Sequence, residues 1–261
     1  MAIMQNIISH VPSHLSKVLY ISKHDNTSSH FAVYRLSEPC VNTLAKHPMG
    51  SEDYKVELTA MHKPNGERPE DNARFLVDVG DDGSMCIRER TLGSDPVEAE
   101  VSLPTSREKG CSFKLHTVTS TTQSSGYISH PLPGKIFRQQ LVRYPYLTVS
   151  GDHFNGTNIS NNQYEWQVHP TEKGPLRYEL VDLEKQRGGD DDGSIMAIYH
   201  HNGFENELPG YYSHGVLLVP STSTSQFEIA VVSSLLAVLT AVRQQPVLKK
   251  QSRLRSLMAC L

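Results

Sequence analysis

At 261 residues, with a formal net charge of −3 and a pI near 6.5, the chain can bury a large core and has no global basic field to make nucleic acid its main partner. Its four cysteines, Cys40, Cys86, Cys111 and Cys260, lack both C-x-x-C spacing and the density of a disulfide scaffold, which points to free thiols in a reducing compartment. No basic segment followed by a long apolar core opens the chain, so no secretory signal is read there, and the sequons at Asn26, Asn155 and Asn158 mark polar turns.

From Lys17 onward short apolar or alternating runs recur between clusters of Gly, Pro, Asp, Asn and Ser, the pattern of antiparallel strands. The first predicted strands are 17–22, 30–36, 54–62 and 74–79. In 54–62, Tyr54, Val56, Leu58 and Ala60 alternate with Lys55, Glu57 and Thr59, as one buried and one wet face require; this is the clearest strand signal. Strands follow at 85–90, 98–103, 112–119, 136–143 and 146–149. Pro145 interrupts the last two and predicts an edge, a bend or two separate strands. The final group is 163–169, 176–183, 195–201 and 212–219, which brings the count to about a dozen without the alternating helices of a parallel sheet.

Turn chemistry supplies the connections. Asp81-Asp82-Gly83 and Gly188-Gly189-Asp190-Asp191-Asp192-Gly193 tolerate positive φ, and the second predicts a hairpin between 176–183 and 195–201. The polar stretches 63–72, 104–110 and 119–134 are expected to be mobile insertions.

One helix is predicted, over 227–242. Its large side chains cover a little over half the circumference and no charge falls between Ile229 and Val242, so it must be surrounded by protein or by lipid. Ser225 and Glu228 have the spacing of a capping box, and Pro246 closes the run. A bilayer span needs about 20 apolar residues, more than this run offers. The rival, a spanning helix, draws on the spacing of Ser233, Ala237 and Ala241 and on the basic residues Lys249, Lys250, Arg253 and Arg255. The favoured expectation is a mainly β fold: a closed antiparallel barrel of about twelve strands around a buried C-terminal hydrophobic helix, with no transmembrane span. Residues 1–15 then form an extension, 16–246 the barrel and 247–261 a basic tail.

Four segments carry a family resemblance: Gln163-Tyr164-Glu165-Trp166, Tyr178-Glu179-Leu180-Val181-Asp182, Ile195-Met196-Ala197-Ile198-Tyr199, and Phe227-Glu228-Ile229-Ala230-Val231-Val232 leading into the helix. With the strand count, they make the chain resemble the tubby C-terminal-like superfamily, which includes the phospholipid scramblase and LURP-one-related families, and most of all its small fungal members. The resemblance implies a non-enzymatic intracellular binding or scaffold domain, with an anionic phospholipid such as a phosphoinositide, or a protein, as partner. Lys135, Arg138 and Arg143 are the nearest counterpart of a basic lipid-contacting patch, since arginine offers a planar fork for phosphate. No segment matches the scramblase calcium-binding stretch. The expected location is the cytoplasm, with peripheral membrane or nuclear association as variants.

The remaining chemistry is read plainly. His200, His201 and His214, near Asp190, Asp191 and Asp192, are expected to be surface and turn residues, because adjacent histidines on a strand face opposite ways and the aspartates lack EF-hand spacing. No G-x-S-x-G elbow, phosphate loop or H-E-x-x-H occurs, so no catalytic residue, metal or cofactor is assigned. Trp166 is expected to anchor the core. The alternative function is an enzyme or small-molecule binder working in a polar cleft at the barrel mouth.

Overall fold

A computed structural model gives the fold and describes residues 11–44, 46–47, 53, 56–57, 73–90, 98–102, 112–115, 118–131, 140–150, 163–169, 177–201, 212–243 and 248–249. The fold is mainly β, a single antiparallel sheet with a long helix near its end. The strands are β1 (Lys17–Asp25), β2 (His30–Arg35), β3 (Ala73–Val79), β4 (Met85–Glu89), β5 (Glu98–Ser102), β6 (Ser112–Leu115), β7 (Val118–Pro131), β8 (Gln140–Ser150), β9 (Gln163–His169), β10 (Arg177–Asp182), β11 (Ile195–His201), β12 (Tyr212–Val219) and β13 (Leu248–Lys249). The described helices are α1 (Glu38–Leu44), α2 (Leu183–Arg187), α3 (Asp191–Ser194) and α4 (Ser225–Arg243).

From β1 to β12 sequential strands are neighbours and β12 returns to pair with β1, while β13 pairs with β8. β8 bonds β7 along its length and also meets β9, from Leu147 opposite Trp166 to Ser150 opposite Gln163. Period-two alternation sends Leu19, Ile21, Phe75, Val77, Ile87, Trp166, Val168, Leu180 and Leu217 into one core with α4. Every α4 residue from Phe227 to Thr240 is buried. Its nine large apolar side chains contribute on the order of 15–25 kcal/mol of gross transfer free energy before entropy is set against it. Trp166, fully buried, donates its indole N–H to Ser234 Oγ at 3.0 Å, so the anchor is also tied to the helix.

The opposite face of β12, β1 and β2 is not left wet. Val18, Tyr20, Ile198, Val216 and Leu218 form a second cluster with Leu15 and Leu36, against which Val11, Cys40 and Val41 pack. The segment before β1 and the helix α1 thus cover this outer wall.

Four bulges break the ladders among the described strands; one adds Ser125 to β7 opposite β8, and the other three each re-aim a side chain. Between Ile21 and His24 one extra residue enters β1 relative to β12, which brings His24 opposite Ser213. Between β2 and β3, Val33 faces Phe75 and Tyr34 faces Ala73, so Arg74 has no opposite number. In β11 the extra residue is Met196, and its side chain packs on the main core.

The turns follow their glycines. Gly83, at φ 80°, sits between β3 and β4, and Gly189, at φ 83°, sits between β10 and β11. The predicted β10–β11 hairpin forms, with α2 and α3 inside its loop, capped by Asp182 and Asp190 side chains.

Other expectations are corrected. In 54–62 the described residues Val56 and Glu57 are helical, and Val56 is exposed; β2 pairs directly with β3, so the ladder has no slot for a strand between them. The remainder of 54–62 lies outside the described residues, as do the stretches 63–72 and 104–110. The polar run 119–134 is no mobile insertion over 119–131: it belongs to β7, a 14-residue strand whose threonines are β-branched and suit a pleated surface. The predicted strand 112–119 divides into β6 and the start of β7. Residues 140–150 form one strand through Pro145, which falls between Leu141, paired with β13, and Leu147, paired with β9. The proline thus occupies a part of that edge with no partner among the described residues.

Candidate functional site

Polar groups gather at both ends of α4 and on one patch of the outer wall. At the N-terminal end, Lys17 from the start of β1 donates to Glu228 Oε1 at 2.6 Å, to Ser223 Oγ at 2.9 Å and to the Ser223 carbonyl at 3.0 Å. Arg74, turned there by its bulge, donates through Nε to Glu228 Oε2 at 3.2 Å, through Nη1 to Glu89 Oε1 at 2.5 Å and through Nη2 to Ser225 Oγ at 2.5 Å. Ser225 in turn donates to Glu89 at 2.9 Å. The Glu228 and Glu89 side chains are 2% and 5% exposed, so two cations and two carboxylates form a closed, charge-balanced lock between helix and wall.

The expected capping box does not form. Thr224 is the cap: its Oγ1 accepts from Phe227 N at 3.2 Å and its carbonyl from Glu228 N at 2.9 Å. Ser225 and Glu228 face the wall instead, because ionic partners from distant strands outcompete a reciprocal bond within the turn.

At the C-terminal end Arg243 is the organising group. It bonds Asn26, Ser213 and Thr240 and approaches His24. His24 stacks on Phe31 with centroids 4.1 Å apart, and its Nδ1 donates to the Ser22 carbonyl at 3.0 Å. Burial, followed by the nearby Arg243 guanidinium, pushes the His24 imidazole down to about 3, so the ring is neutral and offers Nε2 as an acceptor. Burial likewise lowers Arg243 from its ordinary value, and the Tyr199 and Tyr178 phenols pull it back up.

The outer patch lies across β9, β10 and β11, where Arg177 stands opposite both His169 and His200. Arg177 donates to Glu179 Oε1 at 2.5 Å, and His169 Nε2 is 3.3 Å from Glu179 Oε2, a long contact for a hydrogen bond. Burial raises the Glu179 carboxyl, but His169 and Arg177 more than reverse this and hold it below the usual carboxylate range. Burial and then Arg177 push the His200 imidazole down to about 3. Among the described residues neither His200 nitrogen has a hydrogen-bond partner, and the residue is 4% exposed.

No family model matches the chain, and no curated protein or solved structure matches it either. The site is therefore read from its own geometry. Lys135 and Arg138 lie outside the described residues, and Arg143 is in β8 opposite Ser129. Lys249 is in β13 opposite Gln140, while Lys250, Arg253 and Arg255 lie outside the described residues. His200 and His201 are not surface residues: both are buried, because their strand is packed on both faces. Asp191 and Asp192 are exposed, as expected, at the start of α3. Among the described residues no three His, Cys, Asp or Glu side chains converge to hold a metal ion. Cys40 and Cys86 form no disulfide among the described residues; Cys111 and Cys260 lie outside them.

Sequence reasoning missed Arg74, His24 and Arg243 as one group each with a helix end. Arg243 carried a local signal, a cation in the last helical turn. Arg74 and His24 carried none, because their directions are set by bulges that depend on partner strands.

Proposed function

We propose that this chain is a non-enzymatic intracellular binding domain in which twelve strands close into a barrel around α4, so that its partner is met on the outer surface. The burial of α4 carries the reading: residues 227–240 occupy the space a ligand would need. The double pairing of β8, with β7 and with β9, supports closure of the ring. The resemblance to the tubby C-terminal-like superfamily favours an anionic phospholipid surface as partner, with Lys135, Arg138 and Arg143 as its contacts.

Vesicle flotation tests this reading. The full chain is expected to float with phosphatidylcholine vesicles containing phosphatidylinositol 4,5-bisphosphate at low salt, and not with phosphatidylcholine alone. Replacing Lys135, Arg138 and Arg143 together by Ala is expected to weaken flotation severalfold. No flotation at low salt overturns the lipid assignment. One observation favours the alternative, a small-molecule binder at the barrel mouth: among the described residues Arg243 is hydrogen-bonded by neutral groups and by no carboxylate.

A further inference from the structure

At the C-terminal end of α4 a largely enclosed cation has no carboxylate bonded to it among the described residues, and Asp25 acts on it only through space. Arg243 donates through Nε to Asn26 Oδ1 at 3.0 Å, through Nη1 to Ser213 Oγ at 2.5 Å and through Nη2 to Thr240 Oγ1 at 3.1 Å. Nη1 also points at His24 Nε2, 3.4 Å away. All four are neutral, and no carboxylate among the described residues forms an ion pair with it. The nearby Asp25 accepts instead from Thr27 and Ser28. A guanidinium stays charged, and the helix C-terminus offsets only part of that charge.

Two unspent hydroxyls lie in the same field. Tyr178 and Tyr199 are cross-strand partners with ring centroids 5.7 Å apart, both fully buried, and neither hydroxyl has a hydrogen-bond partner among the described residues. The Tyr199 ring lies over Gly215, two residues along β12 from the Ser213 that Arg243 bonds, and Tyr178 packs beside it. Gly215 makes room for this pair: a Cβ there would come within 2.7 Å of Tyr199 Cε2 and Cζ. Ser213 accepts from Arg243 and so keeps its own hydroxyl proton to donate.

We propose that this end of the fold is a binding site for one phosphate group, held by Arg243 and by the hydroxyls of Tyr178, Tyr199 and Ser213. The guanidinium fork supplies charge, and three hydroxyls donating from different strands suit a tetrahedral oxyanion better than a planar carboxylate. Asn26 is exposed, so entry is from its side, and the anion takes its place on Nε. The site is separate from Lys135, Arg138 and Arg143 and does not depend on the exterior reading.

Isothermal titration and thermal unfolding of the full chain, in inorganic phosphate against chloride of equal ionic strength, test the site. Saturable binding is expected, with a midpoint that rises with phosphate as mass action requires. Tyr178→Phe and Tyr199→Phe keep the rings and are expected to weaken phosphate affinity about tenfold each, as loss of a charge-assisted hydrogen bond does, while the phosphate-free midpoint holds or rises. Vesicles of phosphatidylcholine with phosphatidic acid form the second arm. Binding to vesicles alone, lost in the same variants, assigns the phosphate to a lipid head group, and binding of inorganic phosphate assigns it to a free anion. Absence of saturable binding in both arms overturns the proposal. So does an equal response in the wild type and both Tyr→Phe variants, which marks a general salt effect.

Discussion

Lowering the pH from 7.5 to 5 is expected to remove about 4 kcal/mol of stability, through two buried histidines. His24 and His200 are 2% and 4% exposed, and each imidazole is pushed from 6.5 down to about 3. For His24 the causes are burial and then Arg243, with Asp25 opposing and His214 adding; for His200 they are burial and then Arg177, with Glu179 opposing. The unfolded chain takes up each proton near 6.5, whereas the folded chain refuses it until about 3. Stability is therefore full above the unfolded value and is lost as pH falls through that window. At about 1.36 kcal/mol per pH unit, each histidine costs roughly 2 kcal/mol at pH 5, and the pair consumes a large part of the 5–15 kcal/mol typical of a domain. Glu179 does not blur the measurement: its carboxyl is held below 4.5, so its contribution disappears only at lower pH. Urea unfolding at pH 7.5, 6.5 and 5, followed by the fluorescence of the single, buried Trp166, reads the slope directly. His24→Phe and His200→Leu are each expected to remove about half of it. A midpoint that does not move with pH, or a slope that neither substitution changes, refutes the mechanism.

Two further substitutions test packing and the ionic lock. Gly215→Ala would drive its Cβ into the His200 carbonyl oxygen and to 2.7 Å from the Tyr199 ring; a loss of about 2–4 kcal/mol in denaturant unfolding is expected, and a loss under 0.5 kcal/mol would contradict that geometry. Glu228→Ala strands Lys17 and leaves Arg74 with only Glu89, so about 3–5 kcal/mol should be lost, whereas Lys17→Met combined with Glu228→Met leaves the Arg74–Glu89 pair balanced and should recover most of it. A double variant as unstable as the sum of the two single ones would show that the pair is not coupled.

The lock bears on the proposed function as well. It pins α4 to β1, β3 and β4 at the end where residues 227–240 begin to be buried. The two helix ends differ in chemistry: one has matched, paired charges, and at the other the described hydrogen-bond partners of the cation are neutral. A ligand that brings negative charge suits only the second.

Much of the architecture was written locally. Period-two alternation placed β3, β4, β9 and β12, glycines tolerant of positive φ placed the turns at Gly83 and Gly189, and an uncharged apolar run placed α4 and made Trp166 a core anchor. These succeed because a side chain's face and a turn's φ depend on neighbours a few residues away. Tertiary structure decided the rest. The alternation of 54–62 looked like a strand, yet β2 and β3 already pair and leave it no slot; the polar 119–131 looked like a loop, yet it bridges β6 and β8. Arg74 and His24 face α4 only because bulges shift their register, and a bulge is defined by a partner strand that the local sequence does not contain. Ser225 and Glu228 had the spacing of a cap and became a lock because Lys17, Arg74 and Glu89, remote in the chain, arrive at the same end of the helix.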